Sequence, residues 1–290
     1  MNESIPQLVK DDPWLEPYSD QIQWRMDYLQ DHLQEIKAKH GSLTSYATAH
    51  KYAGIHYQEL NDLWTVREWA PGAKSVSLIG DFNNWNNQSH PMTLNDYGVW
   101  ETQISGNRLQ HGDLVKLHIV GADDSRRDRI PACIQRVQQD PETHDYSGQI
   151  WQPASPYQWK HSFDPSDITS PIIYECHVGM SGEEPRLHTY REFADNLLPR
   201  IAALGYNTIQ LMAVQEHPYY GSFGYHVSSF FAPCSRFGTP EDLKYLIDQA
   251  HGLKIAVLLD VVHSHAVKNM AEGLNELDGT DYQYLSLIHI

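Results

Sequence analysis

The sequence predicts a multidomain β + α/β fold: an N-terminal helix, an immunoglobulin-like β-sandwich, and the first three βα units of a (β/α)8 TIM barrel. Three observations carry this. Apolar residues recur at spacings of three and four before residue 40. From about 50 to 150 the pattern becomes short alternating strands cut by Gly, Pro and Asn turns. From 172 onward, continuous apolar strands alternate with amphipathic helical stretches. The first is a helix period and the second that of half-buried strands. The third marks parallel strands buried on both faces and joined by right-handed crossovers.

The N-terminal helical segment is expected over 1–49. Ile22, Met26, Leu29, Leu33 and Ile36 share one face of a helix over 14–40, and Gly41 is its stop. The sandwich is expected over 50–150. Leu63–Trp69 alternates as a strand, Ala70, Pro71 and Gly72 turn the chain, and further strands fall at 75–79, 98–102 and 113–120. The loop 81–87 is polar around Phe82 and Trp85. Pro153, Pro156, Pro165 and Pro171 mark 151–171 as a linker laid over a surface. The barrel portion is expected over 172–284. It begins with a strand at 172–178, then a helix at 190–204 stopped by Gly205, then a strand at 208–214. Thr239 is the N-cap of the next helix, with Pro240 in its first turn and Glu241 and Asp242 at its positive end. A third strand follows at 255–259. A complete barrel takes eight such units. Residues 285–290 fit nothing before them and are expected to be an artefactual tail on a truncated reading frame.

Composition narrows the function. The 290 residues are 41% hydrophobic, with eight Trp and seventeen Tyr and a net charge of −16. That charge argues against nucleic acid and anionic membrane as partners and suits a neutral substrate. Aromatic rings are useful for binding sugar faces, although most aromatics in any chain are packing. Cys133, Cys176 and Cys234 are odd in number and widely spaced, which suggests neither a disulfide framework nor a zinc knuckle. No basic and apolar leader and no run of membrane-spanning length is read, so the expected location is cytoplasmic.

The densest motif is Asp260-Val-Val-His-Ser-His265. It puts an acid and two histidines at the C-terminal end of an apolar strand, where α/β barrels place their chemistry. About one barrel unit earlier lies the flexible aromatic loop 221–227, which carries Tyr225. In this order the two segments resemble the first conserved region and the substrate-stacking tyrosine of the α-amylase superfamily, glycoside hydrolase family 13. The stretches 216–225 and 273–279, with 129–132 and 174–179, are more specifically similar to 1,4-α-glucan (glycogen) branching enzymes. Arg67-Glu-Trp-Ala-Pro71 and Gly80-Asp-Phe-Asn-Asn-Trp85 resemble the carbohydrate-binding module (family 48) that precedes the barrel in branching and debranching enzymes.

The resemblance implies a retaining mechanism. One carboxylate attacks the anomeric carbon, a second protonates the leaving oxygen, and the glucosyl intermediate passes to a 6-hydroxyl of another α-1,4-glucan chain. In the family those carboxylates follow the fourth and fifth strands. No catalytic residue is therefore assigned here, and the chain by itself is expected to be without branching activity. The implied substrate-binding residues are Tyr225, stacking on the glucosyl ring, His265, bonding its hydroxyls, and Asp260, orienting the subsite. Asp260 can also be read as holding the loops through backbone amides. Trp85 can be a shallow glucan platform or a packing residue; Trp69, on an alternating strand, is expected to pack the sandwich or its contact with the barrel. His217 and His263 match the family wording without a role. The implied partner is an α-1,4-glucan, with no cofactor and no metal. Two other readings stand beside this one. A metal-dependent barrel hydrolase would use His263 and His265 as ligands. A glucan-binding or regulatory module would work without catalysis.

Overall fold

The computed structural model describes residues 5–263 and 266–284. The chain divides into two compact units, Met1–Tyr52 and Ala53–Ile290.

In the first unit, Asp12 caps the 3-10 turn Pro13–Tyr18 by accepting from the Trp14 amide at 3.1 Å. The α-helix is Ser19–His40 and ends at Gly41, whose φ of +79° is the left-handed stop the sequence suggested. The expected start at 14 gives way to a 3-10 turn because Pro13 and Pro17 lack the amides an α-helix needs there. Ile22, Leu33 and Ile36 are half-buried, whereas Met26 and Leu29 are exposed.

The second unit opens with a sandwich. One sheet runs β1 (Gly54–Gln58), β2 (Leu63–Trp69), β5 (Val99–Ser105), β4 (Thr93–Leu94). The other runs β3 (Ser75–Gly80), β6 (Leu114–Val120), β9 (Tyr146–Gln149), β8 (Val137–Gln139), with β7 (Arg126–Arg129) also paired to β6. All pairs are antiparallel. Trp64, Val66, Trp100 and Ile104 from the first sheet meet Val76, Leu78, Val115, Leu117 and Ile119 from the second. Ala232 and Leu277, far along the chain, complete the same core.

Glu68 lies 2% exposed at the edge of this core. Its carboxyl accepts from the Ala132 amide at 2.8 Å and the Trp69 amide at 3.2 Å. Burial nevertheless raises its pKa to about 7. Between the unfolded value of 4.5 and about 7, the folded state keeps a proton that the unfolded chain has released. Stability is therefore lost as pH rises through that window and is level above it. Buried His217, lowered to about 4, acts with the opposite sign over its own window. Comparison with a variant isolates Glu68. Glu68→Gln is expected to gain stability relative to the parent between pH 4.5 and pH 8, by up to roughly 3 kcal/mol. Urea unfolding at the two pH values measures it; an equal gap between parent and variant at both would show that Glu68 is ionised when folded.

The rest of the unit is α/β. β10 (Ile173–Cys176), β11 (Thr208–Leu211) and β14 (Ala256–Leu259) form a parallel sheet in that order. The helix between β10 and β11 is continuous over 190–203 but contains a π turn at Phe193–Leu197. Pro199, two residues past that turn, has no amide to donate back into it, which relaxes the α ladder there. Gly205 ends the segment with φ +89°. The Pro240–Gly252 helix has the expected cap: Thr239 accepts from the Asp242 amide, and Asp242 answers to the Thr239 amide. The expected strand 208–214 stops at Leu211. The chain then re-pairs as a hairpin of β12 (Gln215–Glu216) and β13 (Ser229–Pro233), which the periodicity did not announce. The segment 151–171 is held against the last helix by Asp248. That residue is fully buried and accepts from Tyr157 Oη at 2.7 Å and from the Lys160 and His161 amides.

Candidate functional site

The C-terminal ends of β11 and β14 and the hairpin loop converge on one small cluster. Asp260 extends the parallel pairing by one step, its amide donating to the Leu211 carbonyl at 3.0 Å. The loop between β12 and β13 makes a 3-10 turn at Tyr220–Ser222, then passes through Phe223 at φ +53° and Gly224 at φ +89°. A Cβ on Gly224 would stand 2.0 Å from the Ala213 carbonyl oxygen, so only glycine lets the loop lie against β11's continuation. This brings Tyr225 over the strand ends, where its hydroxyl donates to Asp260 Oδ2 at 2.8 Å. The bond to Asp260, with burial second, raises the phenol pKa. Both side chains are half-buried. Beneath them Ala213, Val227 and Val262 form a small apolar floor that includes part of Tyr225 and Phe230. Gln215 ties it together, donating to the Phe230 carbonyl at 3.0 Å and accepting from the Val262 amide at 3.3 Å.

Of the residues singled out from sequence, Tyr225 and Asp260 are thus joined directly. His263 is exposed, with its ring 6.0 Å from that of Phe230. His265 lies outside the described residues. Trp85 stands apart on the sandwich, 39% exposed in a left-handed turn at φ +58°. Its indole nitrogen donates to Asp81 Oδ1 at 3.1 Å, and Asp81 also accepts from the Leu114 amide at 2.8 Å. The ring is anchored at its edge and open over part of its surface. Trp69 is likewise 39% exposed, and its ring meets Tyr284 at 5.7 Å, nearly perpendicular. It packs against the chain's later segment and is not enclosed in the sandwich core.

Sequence reasoning missed a buried cluster at the base of the hairpin. Glu216, His217 and Cys234 place possible ligand atoms within 4.8 Å of one another. Their protein partners are already strong. The Glu216 carboxylate accepts from the His217 and Ser235 amides, at 3.1 and 2.8 Å, with the Arg236 guanidinium 3.8 Å away. His217 Nδ1 faces the Gln215 carbonyl at 2.9 Å, and burial pushes the Cys234 thiol well up. A cation here would have to displace the influence of Arg236, and the donor set fits a structural node better than a metal centre. The residues that could have revealed it, Glu216 and His217, were visible only as family wording.

The fold and this site define a class. Residues 53–134 match carbohydrate-binding module 48 (isoamylase N-terminal domain), and residues 196–283 match the α-amylase catalytic domain. Residues 196–283 thus correspond to part of the catalytic domain of the α-amylase family. Within that family its curated relatives are 1,4-alpha-glucan-branching enzymes. It is 46% identical to that of Dictyostelium discoideum over 96% of this chain, and 47% identical to that of Yarrowia lipolytica over 96%. It is 45% identical to the chloroplastic/amyloplastic branching enzyme 2-2 of Arabidopsis thaliana over 94%. The chain spans 41% of the length of the first two and 34% of the third. Among solved structures, the Group B Streptococcus pullulanase SAP shares the fold with a TM-score of 0.66 at 21% identity. The match covers 78% of this chain and 35% of that one. The same pullulanase in complex with maltotetraose aligns with a TM-score of 0.59 at 20% identity, over 74% of this chain and 34% of the other.

Proposed function

We propose that the chain serves 1,4-α-glucan branching, in which an α-1,4-glucan is cleaved and the segment transferred to a 6-hydroxyl. The observation that carries this reading is the Tyr225–Asp260 hydrogen bond at the C-terminal ends of parallel strands. It supports a preset sugar subsite: the phenol ring for a glucosyl face, and a carboxylate fixed beneath it. His265 would add a hydroxyl contact to the same ring. The chain's own contribution is to hold substrate. The described residues include three parallel barrel strands, and the bond-breaking carboxylates of the family follow the fourth and fifth. Trp85 supports a second, shallower contact on the sandwich, because its ring is exposed and its polar edge is already satisfied. The partner is a neutral glucan, which the net charge of −16 neither attracts nor repels. No described helix is long and apolar enough to cross a membrane, and the three cysteines are unpaired. Both features suit the cytoplasm, which we propose as its location.

Affinity electrophoresis in amylose tests the binding half of this reading. Trp85→Ala is expected to weaken retention by roughly threefold to tenfold, the usual worth of one aromatic contact. Its melting temperature should stay within a degree or two of the parent's. A drop of many degrees would make Trp85 a packing residue. Absence of any retention of the parent would sink glucan binding itself.

A further inference from the structure

The chain beyond the Asp260 strand end stays beside the candidate site at first, the Val267 amide donating to the Val227 carbonyl at 2.9 Å. Its far end, 278–284, is fastened to the sandwich. Asp278 accepts from the Gly72 amide at 2.8 Å, its carbonyl accepts from the Ala122 amide at 2.9 Å, and Gln283 Nε2 donates to the Trp69 carbonyl. Glu68 lies directly beneath this fastening, buried and in no ion pair among the described residues. The Arg129 guanidinium is not its partner. It gives its Nη atoms to three carbonyls, and its Nε is buried without one.

Tyr284 closes the arrangement. Part of its ring is exposed, but its hydroxyl is turned inward, where burial drives the phenol pKa up. That hydroxyl stands between two acceptors, 3.4 Å from Glu68 Oε1 and 3.5 Å from the Trp69 carbonyl. One phenol proton serves one of them well. A proton on Glu68 resolves the conflict: the carboxylic acid donates to Tyr284 Oη, and the phenol donates to the Trp69 carbonyl. The amides of Ala132 and Trp69 keep their carboxyl acceptor in both states. The other titratable groups nearby do not change charge in the neutral range. Burial pushes the Cys133 thiol up to about 12, Asp278 is held by the Gly72 amide and by Thr280, and Arg67 on the opposite face of β2 pairs with Glu101.

We propose that Glu68, Tyr284 and the Trp69 carbonyl form a proton-operated clasp, which fastens 278–284 to the sandwich when Glu68 is protonated and loosens it when Glu68 is ionised. Tyr284 lies at the rim, so the clasp can open without unfolding the core. Opening admits water to the carboxyl, which then gives up its proton to solvent at an ordinary carboxylate value. Docking therefore weakens as pH rises from 4.5 toward about 7 and is level above that. The clasp stands independently of the glucan reading.

Hydrogen exchange of the whole 290-residue chain at pH 5 and pH 8, corrected for intrinsic rates, tests it. The Asp278, Gly279 and Thr280 amides, each hydrogen-bonded within the stretch, are the reporters. In the parent they are expected to exchange faster than β6 at both pH values, by local opening, and to lose roughly tenfold in protection from pH 5 to pH 8. Glu68→Gln is expected to abolish that loss. Tyr284→Phe, which keeps the ring, is expected to lower protection more at pH 5 than at pH 8. The proposal is overturned if Glu68→Gln shows the same loss as the parent, if Tyr284→Phe acts more at pH 8, or if the reporters exchange only together with β6.

Discussion

Arg129→Ala is expected to be the most damaging single change to stability, costing about 3–5 kcal/mol. The side chain is fully buried at the end of β7. Its guanidinium donates to the Glu276 carbonyl at 3.0 Å, the Gly273 carbonyl at 2.9 Å and the Asn275 carbonyl at 2.7 Å. These bonds dock the 273–279 stretch onto the sandwich. Removing the fork leaves the Gly273 and Asn275 carbonyls without their donor, while the Glu276 carbonyl keeps the Gly279 amide at 3.1 Å, and it opens a cavity where the guanidinium was buried. Arg129→Lys is expected to recover little, because one ammonium cannot span three divergent acceptors. Urea unfolding gives the magnitude, and limited proteolysis should show faster cleavage within 266–284. A loss below about 1 kcal/mol would mean water replaces the fork at little cost.

The second large effect concerns Tyr225. In a branching-active protein carrying this sequence, Tyr225→Ala is expected to lower kcat by roughly 10²–10³-fold with a smaller change in KM. On the proposed function, Tyr225 would contact a glucosyl ring that flattens and gains positive charge in the transition state, so its contacts would strengthen there. The hydrogen bond to Asp260 changes the expectation for Tyr225→Phe. Stacking alone would make that change mild. With the hydroxyl gone, Asp260 loses its 2.8 Å donor and its orientation, so an intermediate loss is expected. Steady-state kinetics on amylose decide it. Near-normal kcat in Tyr225→Ala would remove the residue from the site.

The order of layers was legible in the sequence because it rests on period. Leu63–Trp69 alternates, and it is β2 to the residue. Thr239, Pro240 and Asp242 spell a helix start, and the capping box is there. Local chemistry of this kind acts within a few residues, so a linear reading captures it. The hairpin β12–β13 was not legible. Its pairing depends on Gln215 reaching the Phe230 carbonyl and the Val262 amide, contacts that no short window contains. The candidate site was half legible. The strand-end position of Asp260 and the glycine-bearing loop before Tyr225 were visible, but the bond between them required the folded loop. The strand period of Trp69 predicts packing in the sandwich or at its contact with the barrel, and the ring contact with Tyr284 is of the second kind. Periodicity gives the face a side chain takes, and cannot say that the face is only partly covered, here by Tyr284.

Leu277 and Ala232 lie within the sandwich's own hydrophobic cluster, alongside Trp64 and Leu117. The sequence pattern suggests a module boundary near residue 150, but the packing does not respect it, and Ala53–Ile290 is one compact unit. Cutting the chain there would remove two side chains from a core they help to fill and would expose the apolar wall they cover. The carbohydrate-binding module and the start of the barrel are therefore better regarded as one melting unit than as beads on a string. Strain or occupancy felt in either half has a direct route of packed atoms into the other.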